Sequence, residues 1–186
     1  MAYTCKVKEG NLLQEEDATF IVNASNTRLI LGTGVSMAFK VHCGAKLQQE
    51  MLELYAKVTK PIEQGSLFVT SAGEATNFEY ALHASVMNYN LGTRYEEKLP
   101  TLKTIYTILE HIEDHLEKYA QKSDKAIKLV LPLMGCGVGG LEKEVVAEAY
   151  KTFFERACSF DCGVVVYCFD TDEYRLIERI ILKSEG

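Results

Sequence analysis

The residue pattern predicts an α/β protein, a three-layer α/β/α sandwich on a six-stranded sheet. Three observations carry this. Short apolar runs alternate along the chain with amphipathic stretches of helical period. The run Val164-Val165-Val166 is continuous rather than alternating, as a strand covered on both faces must be. No internal repeat, low-complexity tract or Pro/Ser-rich linker divides the 186 residues, so a single domain over residues 1–186 is expected.

In chain order, residues 3–7 read as a weak first strand and residues 19–22 as the second. A helix opens near Gly34 and carries Leu47, Met51, Leu54, Tyr55 and Val58 at spacings of three and four. Strands come next at 66–70 and 80–86, and the stretch from Val86 to Pro100, with Asn88, Asn90 and Gly92, reads as a surface loop. The clearest helix aligns Leu102, Ile105, Leu109, Ile112, Leu116 and Tyr119 in one stripe. Then come a strand at 127–131, a helix carrying Val145, Val146, Ala149, Phe153 and Ala157, and a strand at 164–169. The last helix runs through Tyr174, Ile177, Ile180 and Ile181, with Asp170 and Glu173 placed as N-cap and N3 of a capping box.

Composition narrows the function. Hydrophobic residues at 47% and charged residues at 25% are globular values, and a chain this long buries roughly 70% of its unfolded surface. The acidic surplus, a formal net charge of −6 without basic clusters, argues against long nucleic acid as a partner but leaves room for one small anion in a local cradle. No apolar run reaches the ~18 residues that span a bilayer, and residues 1–13 hold no apolar signal core, so no membrane association and a cytoplasmic location are expected. The cysteines (Cys5, Cys43, Cys136, Cys158, Cys162, Cys168) lack the spacing of a four-ligand zinc site and read as reduced thiols, with no metal and no cofactor expected. His111 and His115 stand four apart on a helix and read as a solvated flank; His83, inside a strand, reads as a hydrogen-bonded buried imidazole.

Two glycine-rich turns stand out, each between an apolar run and a helix: Leu31-Gly32-Thr33-Gly34-Val35 and Gly135-Cys136-Gly137-Val138-Gly139-Gly140. Glycine lets a ligand approach the main chain without meeting a Cβ, and successive N–H groups near a helix start make an anion site. Two such cradles facing one another suit a ligand with two linked phosphates. Neither turn ends in Gly-Lys-Ser/Thr, which excludes a P-loop. The second matches G-x-G-x-x-G, but the strand after it ends at Asp170, 30 residues past Gly140, too far for the acidic ribose ligand of a dinucleotide fold. Cys136 lacks the arginine of a Cys-x₅-Arg phosphatase loop, since position 142 is Glu142. The second strand ends in Asn23 and Asn26, whose carboxamides suit ribose hydroxyls or the local turn; both are candidate ligand-binding residues, Asn23 also fitting the turn well and Asn26 being the better ligand contact. Phe169, at the end of the last strand, either stacks on a base or belongs to the core.

These motifs, in order, resemble the macro domain family, an ADP-ribose-binding α/β/α module. Glu9-Gly10-Asn11-Leu12 is similar to its Gly-Asp-Ile, Val22-Asn23-Ala24-Ser25-Asn26 to Val-Asn-Ala-Ala-Asn, and residues 31–35 to its Gly-Gly-Gly-Val loop. Tyr80-Ala81-Leu82-His83-Ala84 resembles Tyr-Val-Ile-His, residues 131–140 the phosphate loop, and Val166-Tyr167-Cys168-Phe169-Asp170 the closing strand with its base-flanking aromatic. The resemblance implies a mixed, mostly parallel sheet, and a monomer is expected. It implies a distal ribose at Asn26, Gly32, Thr33, Gly34 and Val35, a diphosphate on Gly135, Cys136, Gly137, Val138 and Gly139, and an adenine between Asn11-Leu12 and Phe169. Three positions depart from the family: Asn11 stands for its Asp, Ser36 for the Asp that comes after the glycine loop in active hydrolases, and Gly139 for Tyr or Phe. The expectation is therefore a module that binds ADP-ribose, free or on an ADP-ribosylated protein, with weaker or less selective hold on adenine. The alternative is a metal-independent hydrolase of ADP-ribose esters (protein-linked, O-acetyl or 1″-phosphate) with Asn26 positioning water, and the third reading is an interaction scaffold with a vestigial site.

Overall fold

Strands form where β-rich apolar runs can be covered on both faces, and the computed structural model, which describes residues 1–32 and 35–183, places six of them in one sheet. They are β1 (Tyr3–Glu9), β2 (Ala18–Asn26), β3 (Leu67–Ser71), β4 (Phe78–Met87), β5 (Ile127–Pro132) and β6 (Cys162–Cys168). The sheet order is β1-β6-β5-β2-β4-β3, with every neighbouring pair parallel except β3 with β4. The expected three-layer arrangement with a mixed, mostly parallel sheet is what the chain adopts. Successive side chains go to opposite layers: Phe20 and Val22 join one core with Leu129, Leu131, Val164 and Val166, while Ile21 joins the other with Val130 and Val165.

Helix α1 (Val35–Lys57) covers one face through Phe39, Cys43, Leu47 and Met51. After the one-turn helix α2 (Tyr95–Lys98), the other face is covered by α3 (Leu102–Lys122), α4 (Lys143–Phe154) and α5 (Thr171–Ile181). Their apolar stripes supply Ile105, Leu109, Ile112, Leu116, Val146, Phe153 and Ile177 to that core. The α1 periodicity is broken once: Gly44 sits at φ 69°, and the Cys43 carbonyl freed there accepts the Glu74 N–H at 2.8 Å. The stretch expected as a loop between β4 and α3 holds α2 and is tied down, with the Tyr89 N–H donating to Thr27 Oγ1 at 2.8 Å. Helix α4 stops at Phe154, short of Ala157. At α5 the Asp170 carboxylate caps the Glu173 N–H at 2.9 Å, but Glu173 reaches back to the Phe169 N–H at 3.0 Å rather than to the cap residue.

Two features place the functional edge. Parallel pairing puts the carboxyl ends of β1, β6, β5, β2 and β4 on the same side of the molecule. Neighbours β2 and β5 then leave in opposite directions, β2 through α1 toward β3 and β5 through α4 toward β6, which makes a topological switch point. Their shared ladder comprises Phe20↔Leu129 and Ile21↔Val130, so the carboxyl halves of the two strands are free to splay.

A chain of buried polar groups crosses the sheet beside this opening. Thr70 Oγ1 donates to the Ser71 carbonyl at 2.9 Å and accepts from His83 Nε2 at 2.8 Å. His83 Nδ1 accepts from Asn23 Nδ2 at 3.0 Å, and Asn23 Oδ1 accepts from Ser36 Oγ at 2.9 Å. The donor-only amide at Nδ1 sets the tautomer: the proton is on Nε2 and the ring is neutral. Burial lowers the His83 pKa from 6.5 to about 3. The buried imidazole expected in this strand is therefore the middle of a relay from the edge strand β3 to the first turn of α1.

A folded-state pKa below the unfolded one means that only the unfolded chain takes up the proton between pH 6.5 and 3, so stability falls as the pH drops through that window. Denaturant titrations from pH 6 to pH 4 should show His83 contributing a loss of about 1.4 kcal/mol per pH unit. His83→Gln should remove that part of the slope, and equal slopes in the two proteins would refute the neutral buried ring.

Candidate functional site

The splay between β2 and β5 opens a cavity of about 400 Å³, and both glycine turns line it: Gly32 and Val35 on one lip, Gly135, Gly137, Val138 and Gly139 on the other. A second hollow of about 440 Å³ lies alongside, walled by Gly10, Asn11, Leu12, Ala38, Tyr167, Cys168 and Phe169. Val35 and Pro132 line both, so the two are compartments of one crevice along the carboxyl edge of the sheet. Thr33 and Gly34, expected on the first lip, lie outside the described residues.

The second lip is shaped by the main chain. Gly135 adopts φ 81° and its carbonyl accepts the Leu141 N–H at 2.8 Å, while Gly140, at φ 75°, donates to the Gly137 carbonyl at 3.2 Å. Helix α4 pins the entry to this turn: the buried Tyr150 hydroxyl donates to the Pro132 carbonyl at 2.6 Å and accepts the Met134 N–H at 2.9 Å. Between these bonds, the N–H groups of Gly137, Val138 and Gly139 have no hydrogen-bond partner among the described residues. Successive backbone amides without a protein partner, on residues that line a cavity, are the feature from which an anion-binding concavity can be built. The Cys136 thiol is pushed up to about 12, first by burial and then by the Glu173 carboxylate, which favours the protonated thiol at neutral pH.

Asn26 takes both places expected of the two asparagines, and Asn23 takes neither. Asn23 is fully buried, and its carboxamide is committed to His83 and Ser36; it does not line the crevice, nor does it make the turn after β2. Asn26 lines the inner compartment but builds that turn, its Nδ2 donating to the Ile30 carbonyl at 3.0 Å and its Oδ1 accepting the N–H groups of Arg28 and Ile30 at 3.0 and 3.3 Å. Its Oδ1 is thus spent inside the protein, and the second Nδ2 N–H is the group of this carboxamide left without a partner among the described residues. Ser36 turns its hydroxyl inward to Asn23 and anchors the start of α1 to β2.

The outer compartment is aromatic. Phe169 lies one residue past β6 and is 87% exposed, so the core reading fails and its ring stands free at the mouth. Glu173 holds its backbone and pairs with Lys143 at 2.7 Å, coupling this rim to the start of α4. Asn11 lies opposite, capping a short 3₁₀ turn (Leu12–Gln14). Leu12 is buried beneath it. Tyr167 and Tyr89 also line the crevice, and sequence reasoning misses both. Parity with Val165 along β6 is the available signal for Tyr167; nothing local marks Tyr89, which arrives through the β2–β4 pairing.

The two glycines of the second lip should answer differently to a methyl group. A Cβ at Gly137 meets nothing within 4 Å, whereas one at Gly139 falls 2.6 Å from the Gly135 carbonyl and 2.9 Å from Pro100. Thermal or urea unfolding should place Gly137→Ala within about 0.5 kcal/mol of the parent and Gly139→Ala about 1–3 kcal/mol below it. Equal effects would contradict this loop geometry.

The chain has recognisable relatives among known proteins. The Macro domain family model matches residues 22–150. An uncharacterised protein of Aquifex aeolicus is 33% identical over 170 residues, 90% of each chain, and one of Sulfurisphaera tokodaii is 33% identical over 178 residues, covering 94% of this chain and 89% of the relative. Among solved structures, the Oceanobacillus iheyensis macrodomain with ADP superposes with a TM-score of 0.76 at 18% identity, covering 96% of this chain and 90% of that one. The Trypanosoma brucei macrodomain in complex with ADP-ribose gives 0.71 at 20% identity over 95% and 68%. From the family match and the extent of these likenesses, the chain belongs to the macro domain family.

Proposed function

We propose that the crevice binds ADP-ribose, either free or attached to protein. The observation that carries this reading is that both glycine turns wall one cavity, with three free amides on its second lip. In this reading the diphosphate lies over Gly137, Val138 and Gly139, where N–H dipoles meet its charge. The distal ribose occupies the inner compartment beside Gly32 and Val35, on a floor ordered by Asn26. The base enters the outer compartment and stacks on Phe169, with Asn11 and Leu12 at its edge. Gly32 and Gly137 support it further: an added Cβ would meet no atom of the described residues within 4 Å at either, so those residues do not demand glycine there, but a ligand seated on the main chain would. The Oceanobacillus and Trypanosoma structures, solved with ADP and with ADP-ribose, add weight as relatives of the same fold.

Binding is favoured over hydrolysis by the chemistry of the lining. Among the described residues, the inner compartment has no carboxylate, imidazole or lysine that could move a proton or activate water. Ser36, at the position where active hydrolases carry an acid, lines this compartment with its hydroxyl engaged by Asn23.

Titration calorimetry should give saturable one-to-one binding of ADP-ribose at least tenfold tighter than AMP. Equal affinity for the two would remove the distal-ribose assignment. Gly137→Val should lower ADP-ribose affinity tenfold or more, and binding at the parent affinity would refute the amide cradle.

A further inference from the structure

We propose that the free edge of the sheet at β3 docks an extended acidic polypeptide segment, which adds to β3 as a further strand and sets its carboxylates against the lysines of α3. No residue of β3 or α3 lines the crevice, so this site stands apart from whatever the crevice binds.

The sheet has two edges of opposite character. On β1 the side chains of Lys6, Lys8 and Glu9 supply the charges by which an edge strand deters pairing with another chain. On β3, Leu67-Phe68-Val69-Thr70-Ser71, there is neither charge nor proline, and β4 is its one neighbour in the sheet. Just before β3 the Ser66 carbonyl accepts the Ser85 N–H at 2.9 Å, which sets the alternation of the antiparallel ladder. Phe68 and Thr70 turn their main-chain groups to β4, and Leu67 and Val69 turn theirs outward. Among the described residues no backbone group from outside the sheet bonds to Leu67 or Val69.

A groove runs beside this edge. The side chains of Leu67 and Val69 pack toward the α3 layer, so an added strand sends every second side chain to the same side. Between α3 and the edge lie hollows of about 330 and 470 Å³, joined at His115 and Lys118. Bonds hold the helix to the sheet at both ends: His111 Nδ1 donates to the Gly65 carbonyl at 3.0 Å, and the Tyr119 hydroxyl donates to Glu79 at 2.8 Å. Phe20 and Tyr80 stack at 5.6 Å and form an aromatic floor. The carboxylates of the lining are Asp114 and Glu79, and Glu79 is taken by Tyr119 and by Lys125 at 3.4 Å. Lys118 and Lys122 line the larger hollow with no carboxylate in ion-pair range among the described residues. In a chain of net charge −6 this is a local cationic strip.

Charge selects the occupant. A second copy pairing β3 with β3 would bring two such lysine rows onto one face of a continuous sheet, like charge beside like. An acidic strand brings the opposite sign at a matching repeat: alternate strand residues stand about 6.8 Å apart, and helix residues four apart, such as Lys118 and Lys122, about 6 Å. Exposed ion pairs contribute little each, so the main-chain ladder supplies the hold and the lysines choose the sign of the partner.

The probe is a short capped peptide alternating Glu and Val, titrated into the full chain by calorimetry and by ¹H–¹⁵N shift mapping. It should bind saturably and move the amides of Leu67 and Val69. Binding should weaken at least fivefold in the double variant Lys118→Gln, Lys122→Gln, whose exposed positions leave the unfolding temperature at the parent value. A peptide N-methylated along its backbone cannot extend the ladder and should not bind. No binding of the Glu-Val peptide, equal binding of one alternating Lys and Val, or undiminished binding of the N-methylated peptide would each overturn the proposal. Dimers of the free chain that the Glu-Val peptide fails to displace would assign the edge to a second copy and overturn it too.

Discussion

The site depends on one constraint of the sheet: two adjacent parallel strands, β2 and β5, part company after two paired positions and send their chains to opposite sides. The splayed ends cannot satisfy one another, so the turn after each strand must close over a gap. On one lip Asn26 folds the chain into a turn, and the Thr70–His83–Asn23–Ser36 relay ties α1 down beside it. On the other, the Tyr150 hydroxyl grips the Pro132 carbonyl and the Met134 amide before the glycine turn begins. Buried, fully paired polar groups are rigid because breaking any one strands its neighbour. Both lips are thus held by hydrogen bonds made inside the protein.

The electrostatic character of the crevice is a consequence of its lining. The chain carries a net charge of −6, yet the inner compartment presents neutral groups, with partial positive charge from the free amides of the second lip. Fixed dipoles in a partly enclosed hollow act at short range, whereas the diffuse acidic surplus is screened beyond about 8 Å at physiological salt. Lys143, at the start of the helix after the second turn, is already paired with Glu173. Such a lining is the one that the proposed binding of an anion requires.

Much of the fold and the site is legible in the residues, and the exceptions have definite causes. Continuous apolar runs mark the strands covered on both faces, and the paired glycine turns mark the crevice, because both signals are local. Cys162 and Gly163 extend β6 ahead of the apolar run, and Phe169 falls beyond its end, which decides between core and rim. The two asparagines cannot be sorted from sequence: what separates them is that Asn23 meets His83 across the β2–β4 ladder, a contact 60 residues away in the chain. Tyr89 is hidden for the same reason. The α1 pattern hides its own break, since the apolar positions Cys43 and Leu47 remain in phase across Gly44.

The proposed ligand recognition requires the two turns to act together on one molecule, and amide shift mapping tests that most directly. In ¹H–¹⁵N spectra recorded during an ADP-ribose titration, Gly32 and Val35 on one lip and Gly137, Val138 and Gly139 on the other should move together, saturating at one equivalent. Movement of one lip alone, or shifts gathered at the opposite end of the sheet around Glu79 and Lys125, would contradict it.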